Sequence, residues 1–284
     1  MEKEIENQIS GIKIVDRLNS GSQKDVYKIV SKDYEDCVLK IVRADTNVER
    51  VIREIEIVTK YDIPNVPKIY NTGEINLNGN RCIYIIEQFI KGNSLREILI
   101  KKQKLNLKEA YSLLETLLIT ESKLEEYNVI HRDIKPENIL ISDNKYYLID
   151  FGIAKALDMQ SLTFVLNTKS PHTPGYGAPE LLNYYENRNI DSRADLFSIG
   201  VVIYECIFGI NPYRTGTEQS YNEIWYKTIT VIPERLQIKG DTQQQFMGLI
   251  ETLMMKPISK RPSSAKKALE WLYGLKETLV IGDE

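Results

Sequence analysis

The sequence predicts an α+β fold in two lobes, a β-rich N-terminal lobe with one main helix and a mostly helical C-terminal lobe. Two observations predict it. Up to about residue 90, short runs rich in β-branched and aromatic residues alternate with turn residues. Beyond that point apolar residues recur at helical spacing over longer stretches. A chain of 284 residues suffices for one large domain made of lobes 1–90 and 91–284, and no repeat, low-complexity tract or long linker divides it further.

The elements follow in order. Ile12 to Leu18, Asp25 to Val30, Cys37 to Val42, Lys68 to Tyr70 and Arg81 to Ile86 read as strands. Val48 to Lys60 reads as the helix of the first lobe, with Val51, Ile55 and Val58 on one face. In the second lobe Asn106-Leu107-Lys108-Glu109 has the form of a helix N-cap with its reciprocal acid. Ala110, Leu113, Leu114, Leu117 and Leu118 then make one buried stripe. Ile199 to Phe208 is apolar nearly all round, as a helix at the centre of a lobe would be. Pro262 is placed to open a last helix ending near Leu275.

Composition excludes several classes of function. A net charge of -3 argues against nucleic acid or an anionic membrane as partner. No apolar run approaches the roughly 20 residues of a membrane span, and the start MEKEIENQISG is too polar for a signal peptide. Cys37, Cys82 and Cys206 sit in apolar stretches with no metal or disulfide spacing, as buried thiols of a reducing, cytoplasmic compartment would.

The chemistry is concentrated in two strings. His131 to Leu140 reads H-R-D-I-K-P-E-N-I-L, and Asp150-Phe151-Gly152 follows. Asp133, Asn138 and Asp150 supply oxygen donors, and Lys135 supplies an ammonium. Phosphoryl transfer needs this set: a carboxylate to orient a hydroxyl, a cation for the moving group, and hard oxygen ligands for magnesium. Leu18 to Val26 reads L-N-S-G-S-Q-K-D-V, a turn with Gly21 at its middle. Cys37-Val38-Leu39-Lys40 is a strand carrying one lysine, and Thr173-Pro174-Gly175-Tyr176-Gly177-Ala178-Pro179-Glu180 lies downstream.

Together these strings resemble protein kinases, over about residues 10 to 275. Lys135 followed by Pro-Glu-Asn, D-F-G-I-A-K-A-L and the late R-P-S-S are similar to the bacterial eukaryotic-like (Hanks-type) serine/threonine group. The resemblance implies that MgATP binds between the lobes. Asp133, Lys135, Lys40 and Glu54 would then be catalytic, Glu54 fixing Lys40, with Glu56 facing away on the same helix. Asn138 and Asp150 would hold magnesium. Leu18, Gly21, Val26, Val38, Lys40, Glu87, Gln88, Ile90, Asn138, Leu140 and Asp150 would line the nucleotide. Glu87 falls at the gatekeeper position, where large apolar residues are common, and Gln88 and Ile90 would offer backbone groups to adenine. Asn19 and Lys24 replace the outer glycines of the phosphate loop. Asparagine tolerates positive φ, and Lys24 would point to solvent.

The resemblance also implies a Glu180–Arg261 ion pair, a Thr173 contact with Asp133 and Lys135, and an activation segment phosphorylated at Ser161, Thr163, Thr168 or Ser170 with Arg132 to receive the phosphate. The partners expected are a serine- or threonine-bearing protein substrate and a cognate phosphatase. The competing readings are a pseudokinase scaffold and a small-molecule phosphotransferase of kinase-like fold.

Overall fold

The computed structural model describes residues 1–20, 24–43, 55–56, 59–150, 173–182 and 190–281. The positions expected at Gly21, Val48, Val51, Glu54 and Val58 lie outside the described residues, as do Ser161, Thr163, Thr168 and Ser170.

Five strands, β1 (Ile12–Ser20), β2 (Lys24–Ser31), β3 (Cys37–Arg43), β4 (Ile69–Leu77) and β5 (Asn80–Gln88), pair antiparallel in the order β1-β2-β3-β5-β4. Alternation assigns their two faces. Tyr27, Ile29, Leu39, Ile41 and Ile86 point one way into a core that also takes Ile5 and Ile9. Those two isoleucines belong to helix α1 (Glu2–Gln8) and its C-cap, which the sequence reading did not anticipate. Two apolar residues in a charged run give too little periodicity to read; the sheet beneath them supplies the reason to fold. The opposite face carries Val26, Val38 and Lys40, brought side by side by the register Val26↔Lys40.

β4 corrects the expected strand Lys68 to Tyr70, since it begins at Ile69 and runs on to Leu77. Asn71, Gly73 and Asn76 are poor strand formers. Pairing with β5 overrides them, because Asn78 (φ 52°) and Gly79 (φ 81°) make a two-residue turn that sets Leu77 opposite Asn80. Of the expected helix Val48–Lys60, Ile55, Glu56, Thr59 and Lys60 are described and helical, with Ile55 buried and Glu56 exposed.

The described residues divide into two compact units, the boundary falling between Lys91 and Gly92. The second unit carries a three-stranded sheet of β6 (Asn93–Ser94), β7 (Ile139–Ser142) and β8 (Lys145–Leu148). Its α-helices among the described residues are α2 (Leu95–Lys102), α3 (Leu107–Glu126), α4 (Arg193–Phe208), α5 (Tyr221–Thr230), α6 (Gln245–Leu253) and α7 (Ala265–Gly274).

The α3 start is as expected. Asn106 Oδ1 accepts from Glu109 N at 2.9 Å, and Glu109 accepts from Asn106 N at 3.1 Å. Its stripe from Ala110 to Leu118 is buried. α4 is buried from Ala194 to Cys206 and packs against α3 and α6. Gly200 permits that approach, since a Cβ there would stand 2.8 Å from Met254 and 2.9 Å from Leu253. The expected opening of the last helix at Pro262 is corrected. α7 begins at Ala265, and the Ser264 hydroxyl accepts from Lys267 N at 3.1 Å. A side-chain oxygen for an orphan N–H outweighs proline's preset φ. Cys37, Cys82 and Cys206 are buried free thiols.

Candidate active site

The loop after α3 is hung from α4. Asp195, wholly buried in the first turn of α4, accepts from His131 N at 2.6 Å and from Arg132 N at 2.8 Å. Those two bonds hold Arg132 in the left-handed region (φ 65°), a conformation a non-glycine residue avoids unless its surroundings impose it. The His131 ring reaches Ile149 O at 3.1 Å, tying this loop to the segment that ends in Asp150. Burial is the main influence on Asp195 and raises its pKa to about 7, against the lowering effect of the two N–H donors. Glu121 of α3 is also fully buried, and neither oxygen has a partner among the described residues. Burial, then the charge of Asp195, raises its carboxyl well above the usual range.

Thus held, the loop presents Asp133, Lys135 and Asn138 together. Lys135 Nζ lies 2.9 Å from Asp133 Oδ2 and donates to Thr173 Oγ1 at 2.9 Å, and Thr173 donates to Asp133 Oδ1 at 2.8 Å. A one-turn 3-10 helix, Pro136–Asn138, turns Asn138 back. Its Nδ2 donates to Asp133 O at 2.8 Å and to Asp133 Oδ2 at 3.1 Å. With the amide nitrogen so engaged, Oδ1 is the atom of Asn138 left to meet a cation. Ile149 N donates to Asn138 O at 2.9 Å, which ties the residue before Asp150 to Asn138, and Asp150 itself is at φ 60°. An amide oxygen and a carboxylate are hard donors of the kind magnesium takes. Leu140, on β7, is half-buried and pairs with Ser94 and Tyr147.

The first unit holds the rest of the expected residues. Lys40 and Val38 are buried on β3, and Val26 is half-buried opposite Lys40. Lys40 Nζ lies 2.5 Å from Glu87 Oε1, with both side chains about nine-tenths buried at 9% and 11% exposure. Glu54, expected to hold Lys40, lies outside the described residues, and Glu87 is a partner not expected from sequence. The register was the available signal, for Val38 stands opposite Glu87 and Lys40 opposite Ile85.

Gln88 N donates to Lys68 O at 2.8 Å, and Ile90 is buried. Leu18 is 45% exposed at a bulge between Arg17 and Asn19. Asn19 does not use the positive φ open to it and stays in β1 opposite Val26. Lys24 is half-buried at the first position of β2, opposite Val42.

Two further ion-pair groups fix the second unit. Arg261 grips Glu180 with two bonds, of 2.6 and 2.8 Å, as expected, and donates also to the carbonyls of Met255, Arg193 and Lys256. The other was not read from sequence. Arg96 of α2 donates to Glu137 at 2.8 Å, to Glu205 at 2.8 Å and to the Tyr176 hydroxyl, which donates to Glu205 at 2.5 Å. Its members lie far apart in the chain, so no local pattern announces them.

A family model for the protein kinase domain matches residues 12–273. Calcium-dependent protein kinase 5 of Plasmodium falciparum is 32% identical over 218 residues, 73% of this chain and 36% of its own length. Serine/threonine-protein kinase ULK3 of Rattus norvegicus is 30% identical over 254 residues, 86% of this chain and 52% of its own. A probable serine/threonine-protein kinase PknB of Bifidobacterium longum is 32% identical over 186 residues, 62% of this chain and 26% of its own. The chain therefore spans about half or less of the length of these relatives. The match over nearly the whole chain, with the loop geometry above, means that the chain belongs to the protein kinase domain family, in its Hanks-type serine/threonine group.

Proposed function

We propose that this chain transfers the γ-phosphoryl group of MgATP to serine or threonine hydroxyls of a protein, itself included. The observation that carries the reading is the closed set Asp133–Lys135–Thr173, with Asn138 bonded to Asp133. Asp133 orients the substrate hydroxyl and accepts its proton as transfer completes. Lys135 offsets charge on the moving phosphoryl. Thr173 keeps the two in line. Asn138 Oδ1 and Asp150 would hold magnesium, which when bound offsets the charge on the phosphate oxygens. Lys40 draws the phosphates. Leu18, Val26 and Val38 of the first unit would meet the adenine and ribose. The Gln88 amide is spent on Lys68, so its carbonyl is the group for adenine. Little covalent chemistry is asked of the protein, and positioning with electrostatics supplies the rate. The pseudokinase alternative fits less well, because the acid, the ammonium and the amide that the chemistry needs all stand in one cluster.

The test is phosphate transfer from labelled ATP, with magnesium, to the chain itself and to a mixed serine/threonine peptide pool. Asp133→Asn should lower transfer at least about 100-fold while leaving thermal unfolding and nucleotide binding close to wild type. Site mapping on the wild type should find phosphate that the variant lacks. No transfer by the wild type, with nucleotide bound, would replace this reading by the scaffold one.

A further inference from the structure

We infer that Glu87 is a positioning residue for phosphoryl transfer: its carboxylate keeps the buried Lys40 ammonium charged and aimed along the nucleotide face of the sheet. The inference rests on the proposed phosphoryl transfer for the use made of Lys40. The coupling of the two side chains does not depend on it.

The geometry begins with alternation. Val38 and Lys40 lie on one face of β3, and Ile85 and Glu87 stand opposite Lys40 and Val38 on β5. Glu87 is thus the diagonal neighbour of Lys40, at a separation that long side chains span. They do so here, at 2.5 Å. The contact is buried, so water does little to screen it or to replace it. A lysine in such a place tends to lose its proton unless an opposite charge holds it.

The other groups on this face would hasten that loss. Lys24 and Lys28 of β2 stand opposite Val42 and Val38, on the same face as Lys40. Lys28 Nζ lies over the Phe89 ring at 5.0 Å. Asp25, the acid of β2, is on the opposite face and is held by Arg17 at 2.6 Å and Arg43 at 3.4 Å. Glu87 of β5 is the strand acid that meets Lys40, at 2.5 Å. At this position the kinase resemblance leads one to expect a large apolar side chain, which could not do this.

The experiment measures the amine and the reaction separately. In the nucleotide-free full chain, competitive acylation with acetic anhydride across pH, read by peptide mass spectrometry, reports how readily each lysine loses its proton. Exposed Lys267 serves as the internal standard. Glu87→Gln keeps the shape and removes the charge, and it should speed Lys40 acylation at pH 8 several-fold relative to Lys267. Its kcat/KM for ATP should fall about tenfold, the effect of one pKa unit, and fall further from pH 7 to pH 9, where wild type stays level. Glu87→Asp should recover most of both.

Wild-type acylation in Glu87→Gln would overturn the inference whatever the activity. Should Glu87→Gln not fold, Glu87→Met, the large apolar side chain expected at this position, takes its place: faster Lys40 acylation relative to Lys267 upholds the inference, and an unchanged rate overturns it. A shifted acylation rate with no transfer by wild type would overturn the phosphoryl-transfer reading instead. Glu87 would then remain the group that keeps Lys40 charged.

Discussion

Single side chains here act through what holds them. Thr173 illustrates this. Its hydroxyl accepts from Lys135 and donates to Asp133, so it fixes the angle between the acid and the ammonium. Thr173→Ala should lower kcat by about ten- to a hundredfold with little change in KM for ATP, as small misplacements of a reacting group do. Thr173→Ser should keep most of the activity; steady-state kinetics on both variants is the check.

Glu121 and Asp195 make a second case. Both carboxyls are buried and have raised pKa values, Asp195 up to about 7. The folded chain therefore keeps protons that the unfolded chain releases, and the sign follows: their contribution to stability is full below the ordinary carboxylate range and is lost as pH rises toward 7. Glu121→Gln removes one titrating group, so its melting temperature should fall less between pH 5 and pH 8 than that of wild type. Parallel curves would mean that Glu121 is ionised in the folded chain.

At the scale of elements, the boundaries depend on small polar contacts. Ser264 supplies the cap that starts α7, and Ser264→Ala should cost about 1 kcal/mol of stability, read from denaturant midpoints. A variant with unchanged stability would return the helix start to Pro262. Elements with strong internal pattern were legible. The stripe of α3 repeats at helical spacing with its own cap, so the sequence reading and the helix agree. Elements that owe their existence to a neighbour were not. β4 is interrupted by Asn71, Gly73 and Asn76, which disfavour strands, and α1 with its C-cap has Ile5 and Ile9 to bury. Each is stabilised by the sheet against which it lies.

At the scale of the whole molecule, long-range ion pairs tie the kinase signatures to the helical core. Arg261 joins Glu180 and three carbonyls, with its guanidinium 5.0 Å from the centre of the Phe197 ring. Arg261→Ala would leave Glu180 without that partner in a mostly buried place. It should cost roughly 3–5 kcal/mol, seen as a lower denaturant midpoint, and should depress activity through the misplaced Thr173–Glu180 segment. Activity lost with stability retained would mark Arg261 as acting on the site directly.

The sequence alone is enough for the fold class and the family, and it marks Asp133, Lys135, Asn138, Asp150 and Lys40 as the candidates for the chemistry proposed above. It could do so because they lie in short strings whose order the reaction restricts. Tertiary structure alone decided which acids serve them. Asp195 hangs the loop from α4, Glu87 meets Lys40 across a strand register, and Arg96 gathers Glu137, Glu205 and Tyr176. The physical reason is distance along the chain. A charge pair forms where the fold sets two strands or helices side by side, and nothing in the local pattern of either partner records the other.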